Sequence, residues 1–114
     1  MSILTKRVYE EASSADGRRI LIDRLWPRGI SKATARIDYW AKDLAPSTEL
    51  RQWYRHDHAK WPEFKRRYFA ELEAEPVAVQ ALRDRMGRGR TTLVYSSTER
   101  IYNNATALKE FLER

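Results

Sequence analysis

Asp23-Arg24-Leu25-Trp26-Pro27-Arg28-Gly29 packs a carboxylate, two guanidinium groups and an indole into one short segment, directly after the apolar run Ile20-Leu21-Ile22. An apolar run that stops at charges in this way reads as a buried strand whose end presents a site. In an open α/β sheet, ligands bind beyond the carboxyl ends of the strands, where loops converge and helix N-termini offer unpaired N–H groups. Three roles are open to Asp23: general base, metal ligand, or counter-ion that positions Arg24 or Arg28 for an anion. The competing reading is an internal ion-pair network that buttresses the loop, with Trp26 as core, because structural networks gather charges as functional sites do.

Two further segments have the same character. Lys42-Asp43-Leu44-Ala45-Pro46-Ser47-Thr48 sets a charged pair just before a helix start, so Ser47 is a helix cap or a neighbour of an anion held there, and Asp43 joins Asp23 as a candidate for proton exchange. Tyr95-Ser96-Ser97-Thr98-Glu99-Arg100 ends a second apolar run, and Asn103-Asn104 precede the last helix, which Asn104 is expected to cap. Tyr95, Ser96, Asn103 and Asn104 therefore join Arg24, Trp26, Arg28 and Ser47 as ligand-binding candidates. No base neighbours the serines in sequence, so nothing marks one as a nucleophile. His56-Asp57-His58 holds both histidines of the chain. Zinc binding would need ligands at a spacing the chain does not show, and an interhelical turn capped by Asp57 is the better reading. His56 stays a proton-transfer candidate because imidazole titrates near neutrality.

The elements that must carry these residues can be read from periodicity. Ile3 to Tyr9 alternates as a strand, and Glu11 to Gly17 forms the turn after it, short for a crossover. Ile20 to Leu25 fits a central strand covered on both faces. Lys32 to Ala35 suits a helical turn, while Ile37 to Leu44 fits both periods and is taken as extended. A helix follows Pro46-Ser47 and ends around His56. A longer one has Pro62 in its first turn and Trp61, Phe64, Tyr68, Phe69 and Leu72 on one face. The next starts at Pro76 and stops at Gly87. Gly87-Arg88-Gly89-Arg90 turns into the strand Thr91 to Ser96, and a helix from about Asn104 buries Ala105, Leu108, Phe111 and Leu112. The expectation is a single α/β domain over residues 1–114, three-layered, with a small and mostly parallel sheet flanked by helices.

Composition narrows the function. The 114 residues suit one core. The absence of cysteine removes disulfides, thiolate nucleophiles and cysteine-ligated metals. No apolar run reaches the length of a membrane span and the first residues lack a secretory apolar region, so a cytoplasmic protein with no membrane partner is expected. The formal charge is +6, from 22 Lys and Arg against 16 Asp and Glu. Arginine dominates, which suits forked recognition of phosphate or carboxylate. The basic residues are nevertheless scattered among acids, as on a solvated mixed surface.

The segments Lys6-Arg7-Val8-Tyr9, Leu21 to Gly29, Trp40 to Ser47 and His56-Asp57 resemble the DUF488 family in its YeaO-like branch, almost from end to end. The resemblance implies a small α/β domain with a largely parallel sheet and adds weight to a shared pocket at the strand ends; it brings no established activity and names no cofactor. The family pattern usually has a histidine before the asparagine pair, where this chain has Tyr102, and often alanines and an aspartate where it has Ser96-Ser97-Thr98-Glu99. A mechanism that needs that histidine or aspartate is thus in doubt for this chain, whereas binding through Asn103 or Asn104 would survive. The reading is a small anionic ligand, phosphate- or carboxylate-bearing, at the strand C-terminal edge, with catalysis open and no metal assigned. The alternative is a basic nucleic-acid-binding or regulatory module, motivated by net charge and the Arg83 to Arg90 cluster.

Overall fold

The computed structural model describes residues 2–114. Its elements are β1 (Ser2–Arg7), β2 (Arg18–Leu21), α1 (Lys32–Ala35), β3 (Tyr39–Trp40), α2 (Thr48–Tyr54), α3 (Trp61–Glu73), α4 (Pro76–Met86), β4 (Arg90–Tyr95) and α5 (Asn104–Glu113). The strands form one sheet in the order β1-β4-β2-β3, and each neighbouring pair is parallel. The protein is an α/β fold. Parallel pairing brings all the strand carboxyl ends to one rim, which the chain reaches at Val8, Ile22, Ala41 and Ser96.

Alternation along the central strands divides the core between two faces. Ile20, Ile22, Leu93 and Tyr95 point to the larger cluster, packed by Leu50, Tyr54, Phe64, Tyr68, Leu72, Leu82, Leu108 and Phe111 from α2 to α5. Val94 points the other way, to Val8 and Ala35, with Trp26, Ile30 and Ile37 against them. The second layer is thin, made of loops and the single turn of α1. Ile20, Leu21 and Ile22 are all fully buried, as a central strand covered on both faces requires.

The connection from β1 to β2 has to return across β4, which lies between them. It does so without an α-helix, using residues 8–17 and a 3₁₀ turn at Ser14–Asp16. Asp16 anchors it: its carboxylate accepts from Arg19 Nη1 at 2.7 Å, Lys6 Nζ at 3.1 Å and the Ser13 amide at 3.0 Å. The turn closes at Gly17, φ 66°, where a Cβ would lie 2.2 Å from the Arg90 carbonyl oxygen. Only glycine fits there.

Three local features differ from the sequence reading. The strand through Ile20 ends at Leu21, with one further ladder bond from the Ile22 amide to the Val94 carbonyl at 3.1 Å, so Asp23 to Leu25 are already loop. The Ile37 to Leu44 segment is extended only at Tyr39–Trp40. It then tightens into a 3₁₀ turn, Lys42–Leu44, because the Ala41 amide reaches back to the Leu21 carbonyl and the Leu44 amide to the Ala41 carbonyl. The cap of α5 is Asn103, not Asn104: Asn103 has extended dihedrals, and its Oδ1 accepts from the Thr106 amide at 2.9 Å. Among the described residues no helix is long and apolar enough to cross a membrane.

Candidate functional site

Asp23 sits one residue past the last ladder bond of β2, and the neighbouring strand ends converge on it. Its Oδ2 accepts from the Ser96 amide at 2.9 Å and the Ser96 hydroxyl at 2.7 Å, at the end of β4. Its Oδ1 accepts from Asn104 Nδ2 at 3.1 Å, at the start of α5. Trp40 Nε1, at the end of β3, donates to the Asp23 carbonyl at 2.7 Å. Asp23, Ser96 and Asn104, distant in sequence, are thus one hydrogen-bonded cluster, and parallel topology is the cause. Asn104 is the first residue of α5, and with Asn103 as the cap its side-chain amide is left for Asp23.

The loop carrying Ser96 is held from two sides. Arg7 donates through Nε to the Ser97 carbonyl at 2.7 Å and through Nη2 to the Ser96 carbonyl at 3.1 Å. Glu99 accepts from the Ile101 and Tyr102 amides at 2.9 and 3.1 Å and from His58 at 2.7 Å. Those amides first, then His58, hold the Glu99 carboxyl down at about 2. Sequence reading took Arg7 only as part of a family resemblance, because nothing local shows a strand-end arginine turning onto a loop some ninety residues away.

Asp23, Ser96 and Asn104 line a cleft of about 620 Å³ that also receives Arg24, Trp26, Arg28, Arg51, Arg55 and His56. The four arginines are exposed. Among the described residues none of them forms an ion pair, and Asp23 is the only carboxylate on the cleft wall. Arg51 and Arg55 escaped the sequence reading. They lie on α2 and at its C-cap, and helical periodicity assigns such positions to solvent without saying which solvent-facing residues meet the rim.

The remaining candidates have other positions. Ser47 caps α2 by accepting from the Leu50 amide at 3.1 Å, and its own amide and hydroxyl donate to Glu71 at 2.9 and 2.6 Å. An internal carboxylate therefore occupies that helix start. Asp43 is exposed and shares with Ser47 and Glu71 a smaller groove of about 310 Å³, separate from the cleft but touching it at Arg24 and Ala45. Trp26 lines the cleft yet is held as packing, its Nε1 donating to the Ile30 carbonyl at 2.8 Å and its ring edge-on to Trp40. Asn103 lines the cleft with both ends of its amide engaged, Nδ2 donating to the Glu99 carbonyl at 2.8 Å. Tyr95 is buried behind the rim, and that burial raises its hydroxyl's pKa. The two histidines part: His58 pairs with Glu99 and lies tilted against the Tyr102 ring, while His56 lines the cleft.

Among the described residues the Ser96 hydroxyl donates to Asp23, and His56 makes no hydrogen bond to it or to Asp23. Tyr54, whose hydroxyl donates to the Tyr102 carbonyl at 2.9 Å, is pushed up to about 12 by burial and then by Glu99 and Asp57. It stays a neutral donor at physiological pH. Among the described residues no group of three or more His, Asp or Glu is placed to hold a metal ion.

A parallel α/β sheet with a basic cleft at its strand ends is the class of protein these features define. The family model described as the inactive DUF488-N3 subclade matches residues 2–114, and the chain belongs to that family. It is 40% identical over 112 residues to the uncharacterised protein YeaO of Escherichia coli K12, covering 98% of this chain and 97% of that one. It is 42% identical over 106 residues to the uncharacterised protein Rv3073c of Mycobacterium tuberculosis H37Rv, covering 93% of this chain and 89% of the relative. The uncharacterised protein Mb3100c of Mycobacterium bovis matches to the same extent. No solved structure matches the chain.

Proposed function

We propose that this protein binds a small phosphate- or carboxylate-bearing ligand in the cleft at the strand ends, as a recognition module and not as a catalyst. One observation carries the reading: four exposed arginines, without ion-pair partners among the described residues, line a single cleft whose wall holds one carboxylate, already bonded to three donors; Arg24 and Arg55 each give one N–H to a backbone carbonyl and keep the rest of their donors. Like charges brought together on a rim repel one another, so the arrangement favours an anion that neutralises them. The volume of about 620 Å³ lies in the range of small-molecule sites. The subclade's description as inactive agrees with a site in which no nucleophile and base are paired.

The nucleic-acid alternative has less support. Arg83 donates to the Leu112 carbonyl at 3.2 Å, Arg90 to the Ala15 carbonyl at 3.0 Å, and Arg85 lies over the Tyr39 ring. Neither of the two grooves described takes in a residue of that run, which is what separates it from the cleft arginines.

The test is calorimetric titration with inorganic phosphate and citrate at fixed ionic strength. Wild type binds at least one of them, and Arg28→Ala weakens it by at least about tenfold, as loss of one charge-assisted hydrogen bond of about 1.5–3 kcal/mol requires. Unchanged affinity in both Arg24→Ala and Arg28→Ala removes the proposal.

A further inference from the structure

The acid at the floor of this basic cleft points beyond a bare anion. A phosphate drawn in by Arg24, Arg28, Arg51 and Arg55 is repelled by Asp23, so the part of a ligand that touches Asp23 cannot itself be anionic. Asp23 is half-buried, and its three donors leave one lone pair of Oδ1 unused, since a carboxylate offers about four acceptor positions. Beside it, the Ser96 oxygen retains acceptor capacity. Asn104 has one N–H and its carbonyl oxygen unengaged among the described residues. The cluster thus offers acceptors and a donor within one side chain's reach of each other.

A mixed set of this kind suits hydroxyl groups, each of which both gives and takes a hydrogen bond. It suits an ammonium poorly, because an ammonium has only donors to give and leaves the Asn104 N–H facing a cation. The three donors of Asp23 are neutral and leave its charge in place, but four arginines on the same cleft repel a cation, so the directional acceptor is open to a neutral hydroxyl. Building on the anion reading above, we infer that the cleft takes a polyol phosphate such as a sugar phosphate. Its phosphate lies among the arginines and its hydroxyls on Asp23, Ser96 and Asn104. Because Arg24 and Arg28 follow Asp23 in the same loop, the two halves of the ligand are read by one segment.

The experiment is calorimetry with ribose 5-phosphate, glucose 6-phosphate, inorganic phosphate and phosphoethanolamine, on wild type, Asp23→Asn and Ser96→Ala, with thermal melts confirming that each variant folds. At least one sugar phosphate is expected to bind about tenfold more tightly than inorganic phosphate, the worth of one or two well-made hydrogen bonds. Asp23→Asn and Ser96→Ala should each erase most of that preference while leaving inorganic phosphate bound at least as well as before. Ser96→Ala decides the matter if Asp23→Asn does not fold. Equal affinity for sugar phosphate and inorganic phosphate in wild type, or a preference for phosphoethanolamine, overturns the inference and leaves the anion site standing. Failure of every phosphate compound to bind removes both.

Discussion

Arg55 and His56 leave α2 through consecutive left-handed conformations, φ 46° and 57°, and both line the cleft. That region costs a residue with a Cβ about 1–2 kcal/mol and is ordinarily given to glycine. A helix that ends on arginine at this position keeps a strained cap and gains a charge at the rim. Folding and binding therefore pull Arg55 in opposite directions. Arg55→Gly relieves the strain at the cost of one exposed bond to the Gln52 carbonyl. Its urea midpoint should stay level or rise, by up to about 1 kcal/mol in stability, while phosphate affinity measured by calorimetry falls. A variant that loses stability and keeps its affinity would show that Arg55 serves the helix and not the cleft.

At the scale of elements, the β1-to-β2 return rests on Gly17. Its dihedrals, φ 66° and ψ −138°, belong to a region nearly closed to other residues, and the Arg90 carbonyl stands where a Cβ would go. Gly17→Ala should cost at least about 2 kcal/mol from strain and displacement of the β4 start together, read as a lowered chemical-denaturation midpoint; an unchanged midpoint would show that the crossover can shift freely. The sequence offered Asp16-Gly17 as a turn but not the fact that it closes a helix-free crossover between parallel strands, since that depends on β4 inserting between β1 and β2. Elements with strong punctuation were legible: Pro62, Pro76, Gly87 and the aromatic face of α3 place their helices closely. The end of β3 was not, because its turn is set by bonds from Ala41 to Leu21 in another strand. The site divides in the same way. Asp23, Ser96 and Asn104 could be named because each follows or flanks an apolar run, whereas Arg51, Arg55 and the Arg7 clamp depend on tertiary placement. Ser47 was legible as a cap, but Glu71, the group that takes up its donors, lies a helix away.

For the molecule as a whole, the carboxylates make stability a function of acidity. Burial pushes Asp16 upward, but the Ser13 amide, Lys6 and Arg19 outweigh it and leave it below its ordinary value. Hydrogen bonds from Arg66 and then Arg67 hold Glu63 at about 2, and Glu99 is held at about 2 by the Ile101 and Tyr102 amides and His58. Groups depressed in the fold take up protons first in the unfolded chain, so their contribution is complete above the ordinary values, 4.5 for the glutamates and 3.8 for Asp16, and is lost as pH falls through the lowered ones, about 2 for the two glutamates. These contributions are unequal. Glu63 lies on the surface, where ion pairs contribute little. Protonating Asp16 leaves Arg19, only 3% exposed, as a buried cation without its counter-ion, and removing one partner of a buried pair costs about 3–5 kcal/mol. Melting curves followed by circular dichroism should therefore give a Tm nearly flat at neutral pH that falls on acidification below the ordinary aspartate value of 3.8. Asp16→Asn should melt lower at neutral pH and show a shallower acid decline, because the group that carries most of the slope has gone. A variant curve that runs parallel to wild type at every pH would place the acid sensitivity on the surface carboxylates and leave the Asp16 anchor without its assigned weight.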